Sequence, residues 1–382
     1  MKKKLLASAI ASALVVGVGA EAADVEVSGQ VSRVIISPDD DTGDELQFLD
    51  NNISGSRFRI KASHDLGNSM KAGARLETQL QSNKSDTTTG GQMSDPSGQH
   101  GDDSIDLRYQ DIYLSGAFGK VSLGKGDGAG NGTTEVDLSG TYIIAAANAT
   151  DLYGSFIGAQ DVDIGLNNPV IEDDLTVNEV YGNEDAYSRV NRLRYDSNNF
   201  NGLSFAVSYG QQEVAEFAVR YAGETNGTKY EAAAFVGTRG ESTEDYDNGD
   251  DRMGISGSVL LANGLNLTAS YSTWEPDDES ATGIGVGGQP QERENMWVKL
   301  GYKTGKHAFT IDYGETEDTD GLDALGAATV DTDAETMGVS YVFSPAKAVE
   351  LFAGYREYTS DDVVGANNTD VELVTVGSPV KF

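Results

Sequence analysis

Ser56-Arg57-Phe58-Arg59-Ile60-Lys61-Ala62-Ser63 carries two chemistries on alternate residues. Arg57, Arg59, Lys61 and Ser63 fall on one side of an extended chain, and Phe58, Ile60 and Ala62 fall on the other, because successive side chains of a strand point to opposite faces. One side needs water and the other needs apolar surroundings. A helix would place its apolar residues three and four apart; here they recur every second residue. The pattern returns in Lys71 to Leu80, where Lys71, Gly73, Arg75, Glu77 and Gln79 oppose Ala72, Ala74, Leu76, Thr78 and Leu80.

Outward from this pair, alternating segments of roughly ten residues recur along the chain, which is the signature of transmembrane β-strands. They are Val25 to Ile36, Ile105 to Ser115, Lys120 to Gly124, Arg189 to Asp196, Leu203 to Tyr209, Glu216 to Tyr221, Tyr230 to Val236, Met253 to Leu261, Leu265 to Thr273, Met296 to Tyr302, Ala308 to Tyr313, Met337 to Phe343, Val349 to Tyr358 and Val371 to Phe382. With the two above, sixteen strands are expected. Short turns such as Asp65-Leu66-Gly67-Asn68, Gly223 to Gly227 and Ala262-Asn263-Gly264 alternate with long, polar, acidic connections. An even count lets the last strand pair with the first, removing the edges that lipid could not satisfy. Aromatics near strand ends, among them Tyr109, Tyr113, Tyr209, Tyr221, Tyr271, Trp274, Trp297, Tyr302, Tyr313, Tyr341, Tyr355 and Tyr358, are expected as interfacial girdles, against the alternative of a soluble β-sandwich.

The first 22 residues read differently. Lys2, Lys3 and Lys4 precede an apolar run from Leu5 to Gly19, and Ala20-Glu21-Ala22 supplies small residues at the cleavage spacing of a secretory signal peptide. The run is too short to span a bilayer as a helix. Its removal, with three lysines and one glutamate, takes the formal charge from −34 to −36. So acidic a chain lacks the basic face that phosphate neutralisation requires, which argues against nucleic acid as a partner. An exported chain is free to use disulfides, yet this one has no cysteine, so its core and hydrogen-bond ladder must hold it. The acid lies in polar stretches such as Pro38 to Asp41, Glu241 to Asp251 and Asp318 to Asp323, and none has the spacing of a twelve-residue calcium loop. No cofactor or metal is expected.

Several stretches carry a family likeness: Val27-Ser28-Gly29-Gln30-Val31-Ser32-Arg33, Asp65-Leu66-Gly67-Asn68-Ser69-Met70-Lys71-Ala72-Gly73, Glu135-Val136-Asp137-Leu138-Ser139-Gly140-Thr141, Asn191-Arg192-Leu193-Arg194-Tyr195-Asp196-Ser197, and the terminal Phe382. Together they resemble the trimeric general porins of Gram-negative bacteria. The resemblance implies a 16-stranded antiparallel transmembrane β-barrel in the outer membrane, a homotrimer, contact with lipid and lipopolysaccharide, and a third extracellular loop folded inward. It also implies that the outer-membrane assembly machinery reads Phe382. Ser378-Pro379-Val380-Lys381-Phe382 departs from the pattern, because proline is unusual inside a strand.

Sixteen strands enclose a lumen too wide for side chains to fill, so a passive pore of this size must be narrowed by something else. Residues 126–188, starting GDGAGNGTTEVDLSGTY, form the only segment long enough. It carries Asp127, Glu135, Asp137, Asp151, Asp161 and Asp163, of which Asp127, Glu135 and Asp137 are the expected acidic side of a constriction. Parity places Arg57, Arg59, Lys61, Arg75, Arg108, Arg192 and Arg194 on lumen faces as its basic side, since a cation facing lipid at mid-membrane costs roughly 2–4 kcal/mol. Basic wall and acidic loop would set a transverse field across the water path. The net charge points to modest cation selectivity that fades in high salt. A substrate-specific porin and a non-conducting structural or adhesive barrel are the alternatives; the strands are expected to lack the large inward apolar residues of a plugged barrel. His64, His100 and His307 suggest no catalytic triad, and no enzymatic activity is expected.

Overall fold

The computed structural model describes residues 23–39, 46–86, 104–154, 157–159, 175–183, 185–240, 249–276, 292–319, 332–361 and 370–382. Sixteen long strands follow one another around a closed antiparallel barrel: β1 Asp24–Asp39, β2 Arg57–Gly67, β3 Met70–Gln81, β4 Ser104–Gly116, β5 Gly119–Asp127, β6 Arg189–Asp196, β7 Leu203–Gly210, β8 Ala215–Thr225, β9 Thr228–Arg239, β10 Asp250–Leu260, β11 Leu265–Pro276, β12 Glu292–Thr304, β13 His307–Thr319, β14 Thr332–Ala346, β15 Val349–Asp361 and β16 Asp370–Lys381. Each pairs with the next, and β16 pairs with β1 from Gln30↔Lys381 to Asp39↔Glu372. A short seventeenth strand, Gln47–Asp50, adds to the extracellular end of β1.

The period of two is realised as expected. On β12, Met296, Val298 and Leu300 face outward while Asn295, Trp297 and Lys299 face the lumen and are buried. At the short end, Asn226 and Gly227 both have positive φ (51° and 77°), which matches the twist of the hairpin joining β8 to β9. Gly264 is also required, since a Cβ there would lie 2.2 Å from the Lys303 carbonyl oxygen.

Two expectations about the strands change. Tyr109, Trp297 and Tyr358 are not girdle residues: all three are buried on the lumen side. Nor are the inner faces free of large apolar groups. Val34, Ile36, Val342, Phe352, Tyr358, Val371 and Leu373 point inward and form one cluster with Ile143, Ile144, Leu152 and Tyr153 of the long loop. They can do so because the loop, rather than water, covers them. Tyr209, Tyr221, Tyr271 and Tyr302 remain exposed on the outside.

Closure tolerates Pro379. Toward β1 the register runs through Ser32↔Pro379 unbroken. Toward β15 it passes from Phe352↔Gly377 to Val349↔Val380 without a rung at the proline, where the missing N–H costs no bond. Beyond it, Phe382 and Gly29 exchange two backbone hydrogen bonds of 2.9 Å each. A Cβ on Gly29 would lie 2.5 Å from the Arg57 carbonyl oxygen and 2.7 Å from the Phe382 ring. Gly29→Val is therefore expected to cost about 1–3 kcal/mol by overpacking at the seam. Refolding into detergent micelles, followed by gel mobility, should show a smaller folded fraction; an unchanged fraction would show that the seam does not depend on this fit.

Candidate functional site

One arc of the lumen is a wall of arginines held by carboxylates. Glu77 on β3 is bound by Arg59 of β2 and by Arg108 of β4, the latter at 2.8 Å. Asp111 on β4 takes Arg75 at 2.9 Å and Arg192 at 3.0 Å. Arg194 pairs with Asp196 at 2.7 Å, and Arg57 donates to the Ser54 hydroxyl at 2.9 Å. Lys61 lies on β2 directly across from Arg75. Arg108 is the extra residue at a register shift between β3 and β4, where Glu77↔Tyr109 is followed by Thr78↔Leu107. That bulge puts Arg108 and Tyr109 on one side, and the Arg75 guanidinium stacks 3.5 Å from the centre of the Tyr109 ring.

The long connection between β5 and β6 folds into the barrel and lies on the opposite arc. Gly128 leaves no side chain to clash with Glu216 of β8, whose carboxylate accepts from the Tyr187 N–H at 3.1 Å on the returning limb. Arg220 donates to the carbonyls of Ala129 and Asn131 at 2.9 and 3.0 Å. The N–H groups of Val136 and Leu138 reach the hydroxyls of Ser256 and Ser258 on β10, each at 3.0 Å. The apolar run Ile143 to Ala147 is buried, followed by a single helical turn, α1 Thr150–Tyr153, and later by another, α2 Val177–Val180. The loop is thus partly a core element.

The acids distribute differently from the sequence expectation. Asp127 is the last residue of β5 and belongs to the basic arc, paired with Arg189 at 3.2 Å and accepting from the Tyr109 hydroxyl at 2.5 Å. Asp137 faces away from the arginines toward β12, where it meets Lys299 at 2.6 Å. Glu135 alone of the three faces the water path from the loop. Asp161 and Asp163 lie outside the described residues.

Between the two arcs is a polar cavity of about 540 Å³. Arg108 and Arg189 line one part of it, and Glu135, Asp151 and Asp185 line another, with Arg252 of β10 beside them. Sequence reasoning missed Asp185 at the end of the loop, Arg189 at the first position of β6, and Arg252, which falls just before the segment read from Met253. Glu135 accepts from the Tyr142 hydroxyl at 3.0 Å. Asp185 accepts from the Gly132 N–H at 2.6 Å and the Thr134 hydroxyl at 2.9 Å. Burial, then the charges of Asp185 and Asp151, push the Glu135 carboxyl up to about 8, against the smaller pull of Tyr142 and Arg189. Burial, then Asp86, raises Asp151 to about 7. Burial also raises Asp185, although its hydrogen bonds from Gly132 and Thr134 favour the ionised form.

Residues 7–363 match the model of the family described as Gram-negative porin. Direct comparison with curated proteins finds no match. Among solved structures, the chain is similar to the anion-selective porin from Comamonas acidovorans, with 15% identity and a TM-score of 0.59 over 94% of this chain and 100% of that one. It is also similar to the outer membrane channel DcaP of Acinetobacter baumannii, with 14% identity and a TM-score of 0.58 over 96% and 100%. A third is OmpF of Salmonella typhi, with 13% identity and a TM-score of 0.53 over 94% and 97%. At these identities the likeness speaks for the fold. The family match covers nearly the whole chain, and the chain belongs to the Gram-negative porins, channels of the outer membrane.

Proposed function

We propose that the barrel is a passive diffusion pore for ions and small hydrophilic solutes, narrowed where the loop acids face the arginine wall. The observation that carries this reading is the polar cavity bounded by Arg108 and Arg189 on one part and by Glu135, Asp151 and Asp185 on another. Charges of both signs across a water path orient dipolar solutes and separate the routes of cations and anions. Arg57, Arg59, Lys61, Arg75, Arg192 and Arg194 extend the basic side below the constriction, while Asp127 and Asp137 brace the wall and the loop. Phe382, hydrogen-bonded to Gly29 at the seam, remains the proposed assembly signal.

Ion preference is a contest between the acidic chain and this basic arc. The acids of the mouth raise the local cation concentration, and the constriction adds to or opposes that effect according to the ionisation of Glu135 and Asp151. At neutral pH and low salt the balance is modest cation selectivity. A homotrimer is proposed as well, supported by family membership and by the trimer form of the similar OmpT of Vibrio cholerae. Outer-membrane lipid, lipopolysaccharide and the assembly machinery are the proposed partners of the outer face and terminus.

Planar-bilayer recording tests the reading. Purified protein should give discrete conductance steps, with a reversal potential in a KCl gradient on the cation side that approaches zero as both sides are raised to 1 M, where the Debye length falls to about 3 Å. Absence of steps at every voltage would favour a structural barrel. Saturable block by a single sugar would favour a substrate-specific porin.

A further inference from the structure

Lys299 is a cation on the inner wall of β12 with no exposed surface, and it spends its three protons on one loop. Its ammonium donates to Asp137 Oδ2 at 2.6 Å, to the Thr141 hydroxyl at 3.3 Å and to the Ala145 carbonyl at 2.5 Å. It also lies 4.7 Å from the centre of the Trp297 ring two residues away. The loop is shaped as a cup around it. Asp137 turns the backbone by accepting the Ser139 N–H at 2.7 Å, the hydroxyls of Ser139 and Thr141 are 3.0 Å apart, and Thr141 in turn meets Thr310 of β13 at 3.1 Å.

The other ties along this stretch are neutral. Val136 and Leu138 are held by single serine hydroxyls. Glu135 is two residues upstream of Asp137 and is tied by the Tyr142 hydroxyl to the far side of the same cup. Where the cup sits therefore decides where Glu135 sits. None of the three acceptors belongs to β12 or to its neighbours, so the ammonium contributes nothing to strand pairing.

We propose that Lys299 is the positioning residue of the constriction, holding the Asp137–Ala145 cup against the far wall so that Glu135 keeps a fixed place on the water path. The proposal rests on the pore reading above. Without the ammonium, Asp137 is a buried carboxylate with no partner on the wall, and the cup leaves its seat to reach water. Lys299 sets selectivity through Glu135 and never touches a permeating ion.

The test is single-channel recording at pH 9, where Glu135 is ionised, of Lys299→Met beside wild type, each with and without Glu135→Gln. Lys299→Met is expected to assemble, to show several conductance sublevels and raised open-channel noise, and to lose about half or more of the reversal-potential change that Glu135→Gln produces in wild type, because the two sites are then uncoupled. A merely structural lysine would lower stability and leave that coupling intact. Wild-type noise, a single level and a full Glu135 effect in Lys299→Met would overturn the proposal. If Lys299→Met does not fold, Asp137→Asn, which keeps the ammonium and two of its acceptors, must show the same sublevels; quiet Asp137→Asn channels overturn the proposal equally. A silent wild-type protein would instead bring down the pore reading itself.

Discussion

Excision of residues 140–175 is expected to raise single-channel conductance about two- to threefold, since a 16-stranded wall without its inward loop encloses an open aqueous lumen. The cost is stability. The excised segment carries Ile143, Ile144, Leu152 and Tyr153, which cover Val34, Ile36, Val342, Phe352, Val371 and Leu373 on the inner wall. Six such side chains returned to water lose about 1 kcal/mol or more each. Lys299 keeps Asp137 but loses Thr141 and Ala145. The variant should therefore conduct more and lose its folded gel mobility at a lower temperature. An unchanged or smaller conductance in a correctly folded variant would show that the loop does not narrow the path.

The barrel was legible because its cause is local. Period-two alternation is written into each strand, and each of the sixteen segments read from it falls on one of β1 to β16, with ends up to six residues apart. Arg57, Arg59, Arg75, Arg192 and Arg194 share the lumen side for the same reason. Arg108 shares it too, opposite the outward Ile105 and Leu107, but the bulge that follows turns Tyr109 and Asp111 inward, and nothing in Ile105 to Ser115 announces a bulge. The interior was less legible because its partners are distant in the chain. Asp137 and Lys299 are 162 residues apart, and an inward lysine on β12 looks like any pore cation until the loop is seen to close over it. The same blindness misplaced Trp297 and Tyr358: an aromatic near a strand end suits an interface, and only a covering loop makes the lumen side apolar enough to take it. The run Ile143 to Ala149 was the available signal. Its density of apolar residues inside a polar loop marks a surface that must be buried.

Raising the pH from 5 to 9 is expected to increase the cation-to-anion permeability ratio. Glu135, held near 8 chiefly by burial and then by Asp185 and Asp151, and Asp151, held near 7 chiefly by burial and then by Asp86, carry protons in acid and lose them across this range. Arg108 and Arg189 line the same cavity. Each ionisation adds a negative charge beside the water path. At about 8 Å in a water-like dielectric one charge is worth about 0.5 kcal/mol, enough to enrich cations and deplete anions by about twofold each. The permeability ratio should therefore rise at least about threefold in 0.1 M salt, and less in 1 M, where screening cuts the range. Glu135→Gln should remove the upper part of the rise and leave the part due to Asp151. The same protons affect stability with a definite sign. A carboxyl raised from 4.5 to about 8 in the folded protein binds its proton more tightly there than in the unfolded chain, so its contribution is present in acid and is lost as pH climbs through that interval. The loop is thus expected to be most firmly seated below pH 5 and to loosen toward pH 9, as open-channel noise would report. A permeability ratio flat from pH 5 to 9 would mean that Glu135 and Asp151 titrate in the ordinary carboxylate range, solvated by the water of the pore rather than crowded by one another.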